Sequence, residues 1–488
     1  MLNPDDRILI LAPHPDDEVL GCGGVIQRAI EMKLPLQIVF FTYGDSNEWS
    51  FLRYRKYPVV LPQQVRRMGL VRHEEAIKAT KLLGLSSAQV IFLGYPDFGT
   101  LRIWQSRWRS RPPLRSMFTK VRKVPYKNAF RPGAFYKGEE ILKDLKTIIS
   151  DFCPTKIFLS HRHDFNTDHQ ALYLFTRVAL WDLEPQIKPH LYPFLIHFDK
   201  WPYPRSYQPV DPLDPPKKLE QVLRWVKHQL TNEEIKTKYT ALNAHKTQVS
   251  SNRKYLDSFI KTNELFGDYA IISAKDITPY TQIGSGVIST FIPFEELSEK
   301  LSEEELSEYL GIKDESISLE NNTFSVSITL SGFVPTKGRV LTEKIKRRVD
   351  KVRDVVDVVV PDVIADDVYE TIDTLLPITK EGALPATVTS ILPKSVGVAF
   401  YIFGYRYDRP FAEMPKLWVR VGRKGYTFFD LDKQMSQPIE VIREGSKLKV
   451  KIPLKLLENP HMLLINVKNY LGIYTLDWVP WRIVRVEY

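Results

Sequence analysis

The chain has 488 residues, 43% of them hydrophobic, a net charge of +10 and only two cysteines. That length is too great for one ordinary core and predicts two or three domains of a folded soluble protein. No run of about 18 apolar residues occurs, which excludes a transmembrane helix, and Cys22 and Cys153 both fall in apparent core segments, which argues against a disulfide framework.

From residue 7 to about 200, apolar strands alternate with amphipathic helices. Ile8–Ala12, Leu36–Thr42, Val90–Leu93, Lys156–Ser160 and His190–His197 read as strands. Gly23–Glu31, Glu74–Leu83 and Glu139–Asp151 read as helices between them. The alternation predicts an α/β fold: a Rossmann-like, mostly parallel sheet with helices on both faces. Gly21, Gly23 and Gly24 permit close backbone approach where the first strand turns into its helix, but the G-x-G-x-x-G spacing of a dinucleotide site is absent.

Two interruptions break the pattern. Residues 99–138 form a basic insert, with ten Lys or Arg and no acid between Arg102 and Arg131. Such a charge run is a solvated loop or a surface for anionic groups; Trp104, Trp108, Phe118, Tyr126 and Phe130 among the cations suit sugar, phosphate or lipid headgroups. Its position directly after Asp97 makes a lid over a site one reading and a flap packed on its own aromatics the other. No nucleic-acid recognition motif accompanies the charge, so no specific nucleic-acid partner is expected. The second interruption, 201–216, holds six prolines and predicts a stiff irregular loop.

Asn232–Glu264 returns to a helical pattern, with a break near Ser250 or Asn252. Pro293–Tyr309 suggests an acidic amphipathic helix, and Thr342–Leu376 is ambiguous between helix and strand. Beyond residue 315, Ser325–Leu330, Val396–Phe403, Lys416–Val421, Lys447–Pro453, His461–Val467 and Trp481–Val486 read as strands of an antiparallel β-sandwich. The expected domains are therefore 1–290, a junction at 291–380 and a sandwich at 381–488, which could begin near 316.

Two clusters carry chemistry. His14-Pro15-Asp16-Asp17-Glu18 follows the first strand, and Asn166-Thr167-Asp168-His169 follows the fourth. In an open parallel sheet, ligands bind where strand carboxyl ends run into loops. Two imidazoles and a carboxylate with an open coordination position are what a catalytic zinc requires, so His14, Asp17 and His169 are the expected ligands. Asp16 beside them is the natural general base, and Asp168 a partner that fixes a ring orientation.

At these residues the chain resembles the PIG-L/LmbE-like zinc-dependent de-N-acetylases. His14 through Glu18, with Leu20-Gly21-Cys22-Gly23-Gly24, resembles the opening motif of that family. Arg72-x-x-Glu75, Leu93 through Asp97, Asp164 through His169 and Lys238 through Gln248 resemble later motifs in order, over residues 7–266. The resemblance implies zinc, or another divalent transition metal, at His14, Asp17 and His169, with Asp16 as base and Arg72 and Asp97 holding the sugar. It implies hydrolysis of an N-acetyl group from an N-acetylglucosamine-type glycan, glycolipid or conjugate, with an anionic or lipid-linked substrate suggested by the insert. Alternatives are a small thiol-sugar conjugate as substrate, or a glycan- or surface-binding protein with a degenerate metal site. One position departs: the family's closing motif opens with His, and here that residue is Asn166. Asn166 can donate to an oxyanion but cannot act as a general acid, which leaves Asp16, His161, His163 or His197 to supply the proton. His197, ending the predicted fifth strand, is either a substrate contact or a rim histidine.

The last hundred residues weakly resemble glucodextranase-like and carbohydrate-binding β-sandwiches, through Lys451-Ile452-Pro453-Leu454, Leu457, Pro460, Leu476-Asp477 and Pro480-Trp481-Arg482. Trp418, Trp478 and Trp481 are either sugar platforms or core. The first strand begins so early that no signal-peptide region precedes it, which points to the cytoplasm, or outside it for a trimmed mature chain. Oligomeric state is not legible.

Overall fold

A computed structural model describes residues 1–46, 61–273, 281–283, 289–290, 311–330, 396–422, 425–431, 433–471 and 474–487. It divides into two compact units, Met1–Ala270 and Ile271–Tyr488. The division falls before the expected boundary at 290. The acidic helix expected at 293–309 and the ambiguous stretch at 342–376 lie outside the described residues.

The first unit is built on one seven-stranded sheet in the order β3-β2-β1-β4-β5-β7-β6. These strands are β1 (Ile8–Ala12), β2 (Leu36–Thr42), β3 (Val90–Tyr95), β4 (Lys156–Ser160), β5 (His190–Phe194), β6 (Arg224–Gln229) and β7 (Asn263–Asp268). The first five are mutually parallel, and β7 and β6 add antiparallel at one edge. The helices are α1 (Asp17–Glu31), α2 (Pro62–Leu82), α3 (Thr100–Ser106), α4 (Gly138–Phe152), α5 (Thr167–Leu183), α6 (Asn232–Leu242) and α7 (Lys246–Asp257). Every residue of β1 and β4 is buried, as continuous apolar strands covered on both faces should be.

Local chemistry sets the helix limits. Pro62 sits at the first position of α2, where its missing N–H costs nothing. In α4, Ile141, Leu142, Leu145, Ile148 and Ile149 form one buried stripe, and the helix stops at Cys153 in the left-handed region. The long helical pattern from Asn232 is two helices, with Thr231 and Glu234 forming a capping box and a kink at Asn252. It ends before β7, where Glu264 reaches the middle of α1. The Glu264 carboxylate accepts from the N–H groups of Gly24 and Val25 and from Lys238 Nζ at 2.7 Å, with both side chains buried. Among the described residues no helix is long and apolar enough to cross a membrane.

The basic insert is folded onto the unit. Trp104 and Trp108 are fully buried against Phe175, Arg107 is buried, and Arg131 pairs with Glu140 and Asp144 of α4. Trp104, Trp108 and Tyr126 therefore act as core, Phe118 and Phe130 are half-buried, and Arg122, Lys123 and Lys127 remain exposed.

The second unit contains two antiparallel sheets. Its longer strands are β11 (Ile312–Glu320), β12 (Thr323–Leu330), β13 (Val396–Tyr405), β18 (Lys447–Pro453), β19 (Met462–Leu471) and β20 (Tyr474–Arg485), and its shorter ones β8 (Ile272–Ser273), β9 (Thr281–Ile283), β10 (Ser289–Thr290), β14 (Lys416–Val421), β15 (Tyr426–Asp430), β16 (Lys433–Gln434) and β17 (Glu440–Glu444). One sheet has the order β10-β20-β19-β13-β14-β15-β16, with β8 also on β20; the other is β17-β18-β12-β11-β9. Phe324, Val326 and Val450 from one sheet share a core with Phe400, Ile465 and Val484 from the other. Residues 312–330 thus belong to the same body as the strands after 396. Trp478 and Trp481 are buried in this unit, and Trp418 is half-buried, stacked 5.8 Å from Tyr401.

Candidate functional site

The sheet order reverses between β1 and β4, and the loops leaving the five parallel strands converge there. His14, Asp16 and Asp17 follow β1; Gly44 to Ser46 follow β2; Asp97 follows β3; Asp164 to His169 follow β4; His197 follows β5. The donor atoms of His14, Asp17 and His169 all lie within 4.8 Å of one another, and all three residues are buried.

Asp17 opens α1, and its Oδ2 accepts the backbone N–H of His14 at 2.9 Å while lying 3.2 Å from His14 Nδ1 and 3.1 Å from His169 Nε2. The His169 contact is close but not aligned as a hydrogen bond. Two imidazoles and a carboxylate oxygen crowd one point, with only the His14–Asp17 pair aligned as a hydrogen bond, and they are the donor set a divalent ion such as zinc takes. The residues present fit such an ion.

A second set of carboxylates stands behind the imidazoles. His14 Nε2 is 3.2 Å from both Asp168 Oδ2 and Asp97 Oδ1. Asp168, fully buried, also accepts from the N–H groups of Phe98 at 2.6 Å and Thr100 at 3.1 Å and from the Thr100 hydroxyl. His169 Nδ1 lies 3.1 Å from Asp164 Oδ2, and Asp164 Oδ1 lies 3.0 Å from His197 Nδ1. Burial opposes the charged imidazoles, yet Asp97, Asp168 and Asp17 hold His14 well above the ordinary range. Burial is likewise outweighed at His169 by Asp164 and Asp17, which push it up to about 9. Against the burial penalty, His169 and His14 hold Asp17 well below the usual carboxylate range, and His169 and His197 do the same for Asp164.

Asp16 differs from its neighbour. Its backbone φ is 125°, a region L side chains rarely adopt. Glu18 Oε2 accepts its N–H at 2.9 Å, and Glu18 Oε1 is in turn 3.0 Å from the buried His245. Arg72 clamps the other side, donating to the carbonyls of Pro15 and Gly44 at 2.6 Å each, with Asp16 Oδ1 3.5 Å away. Burial pushes Asp16 up to about 6, with Arg72 pulling down and Asp17 pushing up.

The structure therefore brings together His14, Asp16, Asp17, Asp168 and His169, with Arg72, Asp97 and His197 around them. Arg72 and Asp97 are buried with partners in the protein scaffold: Asp97 Oδ2 accepts the N–H of Ser46 at 2.9 Å, and Glu75 bonds to Thr247 rather than to Arg72. Asn166 caps α5, its Oδ1 accepting the N–H of Asp168 at 2.9 Å. His161 and His163 are buried and their rings pack with Trp225, Phe198 and Tyr269, whereas the His197 side chain is 36% exposed, its ring 4.8 Å from that of His169. Sequence reasoning gave no role to Asp164 or Thr100. Asp164 stands just before the second cluster, between His163 and His169, which is a usable signal; nothing in the sequence singles out Thr100.

Residues 9–180 match the family model described as PIG-L, GlcNAc-PI de-N-acetylase. An uncharacterised deacetylase of Escherichia coli K12, YaiS, is 26% identical over 185 residues, covering 38% of this chain and 73% of its own. Among solved structures, an A40926 pseudoaglycone deacetylase is 18% identical, covers 54% of this chain and 96% of its own, and has a TM-score of 0.34. The N,N'-diacetylchitobiose deacetylase of Pyrococcus horikoshii is 16% identical, covers 54% and 82% respectively, and has a TM-score of 0.32. Residues 9–180 of this chain form a PIG-L family domain.

Proposed function

We propose that this chain is a divalent-metal-dependent N-deacetylase that hydrolyses the acetamide of an N-acetylglucosamine-type glycan, glycolipid or sugar conjugate. The observation that carries the reading is the convergence of His14, Asp17 and His169 with a raised carboxyl, Asp16, next in the chain to one of them. Zinc suits the two-imidazole, one-carboxylate set; bound there, the ion would polarise the acetyl carbonyl and lower the pKa of a water molecule.

The remaining steps belong to the chain's own side chains. Asp16, with a pKa raised to about 6, is poised near neutrality to accept the proton of the attacking water at a carboxylate oxygen. Arg72 holds the Pro15–Asp16 turn so that this oxygen keeps its place. Asn166, fixed through its oxygen, offers its amide nitrogen to the developing oxyanion. His197, held at Nδ1 by Asp164 and partly open to solvent, is assigned delivery of a proton to the departing amine. The exposed Arg122, Lys123 and Lys127 would favour an anionic or lipid-linked substrate.

The test is acetate release from a panel of N-acetylglucosaminyl glycans and glycolipids, by zinc-loaded protein, by chelated protein and by Asp16→Asn. Asparagine keeps the shape and tolerates positive φ better than alanine. Release lost in both controls supports the reading. Glycan binding by the parent without any acetate release would instead favour a binding protein with a degenerate site.

A further inference from the structure

Beyond Thr100 at its start, which bonds Asp168, the basic insert approaches the site through Tyr126. Within it, Val124 and Tyr136 join two short segments by backbone bonds to Ala134 and Arg122, and this small ladder presents Tyr126 inward. The Tyr126 ring stacks on Tyr43 with centroids 3.7 Å apart and planes 12° from parallel. Two glycines make room for it. A Cβ at Gly69 would lie 2.4 Å from the Tyr126 hydroxyl, and Gly94, at φ 82°, would place a Cβ 3.4 Å from the ring. A side chain at Gly69 would displace the tyrosine, whereas one at Gly94 would press first on Val124, at 2.9 Å.

From that cradle a continuous set of contacts runs to the site. The Tyr126 hydroxyl donates to Asp45 Oδ2, and Asp45 Oδ1 accepts the Ser46 hydroxyl at 3.0 Å. The Ser46 N–H donates to Asp97 Oδ2 at 2.9 Å, and Asp97 Oδ1 lies 3.2 Å from His14 Nε2. Asp45, Ser46 and Asp97 are all buried. Buried hydrogen bonds rigidify the groups they join, and groups behind a ligating imidazole set its orientation; the last step, from Asp97 Oδ1 to His14 Nε2, is a close ionic approach and not an aligned hydrogen bond. We propose that Tyr126 is a positioning residue that fixes the His14 imidazole through Asp45, Ser46 and Asp97, so that the insert clamps the metal site instead of covering it. The inference rests on His14 being a metal ligand, as proposed above.

The experiment measures Co2+ affinity by chelator competition, the visible absorption of the Co2+ form, and the melting temperature. It uses the full chain, Tyr126→Phe, Asp45→Asn, Asp97→Asn and Asn128→Ala. Asn128 is the control: it accepts from the Tyr43 hydroxyl at 3.1 Å in the same segment but stands outside the network. Tyr126→Phe is expected to bind Co2+ about three- to tenfold more weakly with an altered spectrum, short of the roughly 10–100-fold for losing a direct partner. Asp45→Asn interrupts the same run and should shift affinity the same way, which keeps the test open should Tyr126→Phe fail to fold. Asn128→Ala should leave affinity and spectrum at parental values. Parental Co2+ binding by Tyr126→Phe and Asp45→Asn, beside weakened binding by Asp97→Asn, overturns the positioning role while leaving the metal site standing. No Co2+ binding by the parent overturns the metal reading and this inference with it.

Discussion

Replacing Asp168 with asparagine keeps the side-chain shape and exchanges one carboxylate oxygen for an NH2 group. That carboxylate is fully buried and meets four donors: His14 Nε2 and the Phe98 N–H at Oδ2, and the Thr100 N–H and hydroxyl at Oδ1. The cheaper amide orientation turns NH2 toward Thr100, whose hydroxyl can rotate and accept. The Thr100 N–H is then left without an acceptor, at about 1–3 kcal/mol, and the bonds from Phe98 and His14 each lose roughly 1 kcal/mol of charge assistance. The total is about 3–5 kcal/mol, and domains of this size lose about 2–4 °C per kcal/mol, so a fall on the order of 10 °C is expected. Metal affinity should weaken about tenfold, the low end of the range for such partners, because Asp97 still lies 3.2 Å from the same nitrogen. Thermal melts and chelator competition read the two effects. Since Asp97 and Asp168 share one nitrogen, Asp97→Asn/Asp168→Asn should lose more affinity than the two single variants together. Affinity within twofold of the parent for Asp168→Asn, or strict additivity in the pair, would refute the shared support of His14.

Lys238→Met removes the cation from a fully buried pair and strands Glu264, so urea denaturation should show a loss of about 3–5 kcal/mol, with Lys238→Met/Glu264→Gln recovering part of it. A loss under about 1 kcal/mol would mean the pair does not anchor α6 and β7 to α1. In the second unit, burial pushes the Glu315 carboxyl up to about 7, with only Arg482 pulling it down. A folded-state pKa above the unfolded value of about 4.3 gives stability that is full below that value and is lost as pH rises through 7. Glu315→Gln should therefore raise the melting temperature of this unit relative to the parent more at pH 8 than at pH 5; an equal change at both would contradict a buried, raised carboxyl.

The proposed metal ligands stand out in the sequence because each cluster is short and follows a strand that is buried throughout, so sequence neighbours become site neighbours. The helix at Thr167–Leu183 was not legible, although it carries His169. Thirteen of its residues, from Asp168 to Trp181, are buried, so it shows no polar face and no amphipathic period. The start of β7 (Asn263–Asp268), one strand in from the sheet edge, reads as the tail of a helix because its polar residues gain meaning only from Lys238 and α1. Arg72 and Asp97 show the same limit within the site. Motif position put them near the metal residues, but whether a charged side chain faces a sugar or the scaffold is decided by packing from β2 and α2. That information does not reside in either motif.

The electrostatic balance of the site ties these residues to one cause. Asp16, Asp17, Asp97, Asp164 and Asp168 are buried around His14 and His169, with Arg72 as the buried guanidinium beside them. Burying so many carboxylates is costly unless positive charge is buried with them. Protons on the imidazoles supply part of that charge, which is why His14 and His169 are both held above the ordinary imidazole range. A divalent cation at the same point supplies it without occupying the nitrogen lone pairs with protons. The arrangement is thus poor as a purely structural ion-pair cluster and well matched as a metal centre. Asp16 is the exception that supports this reading, since its carboxyl lacks an imidazole partner within ion-pair distance and is the one left raised toward neutrality.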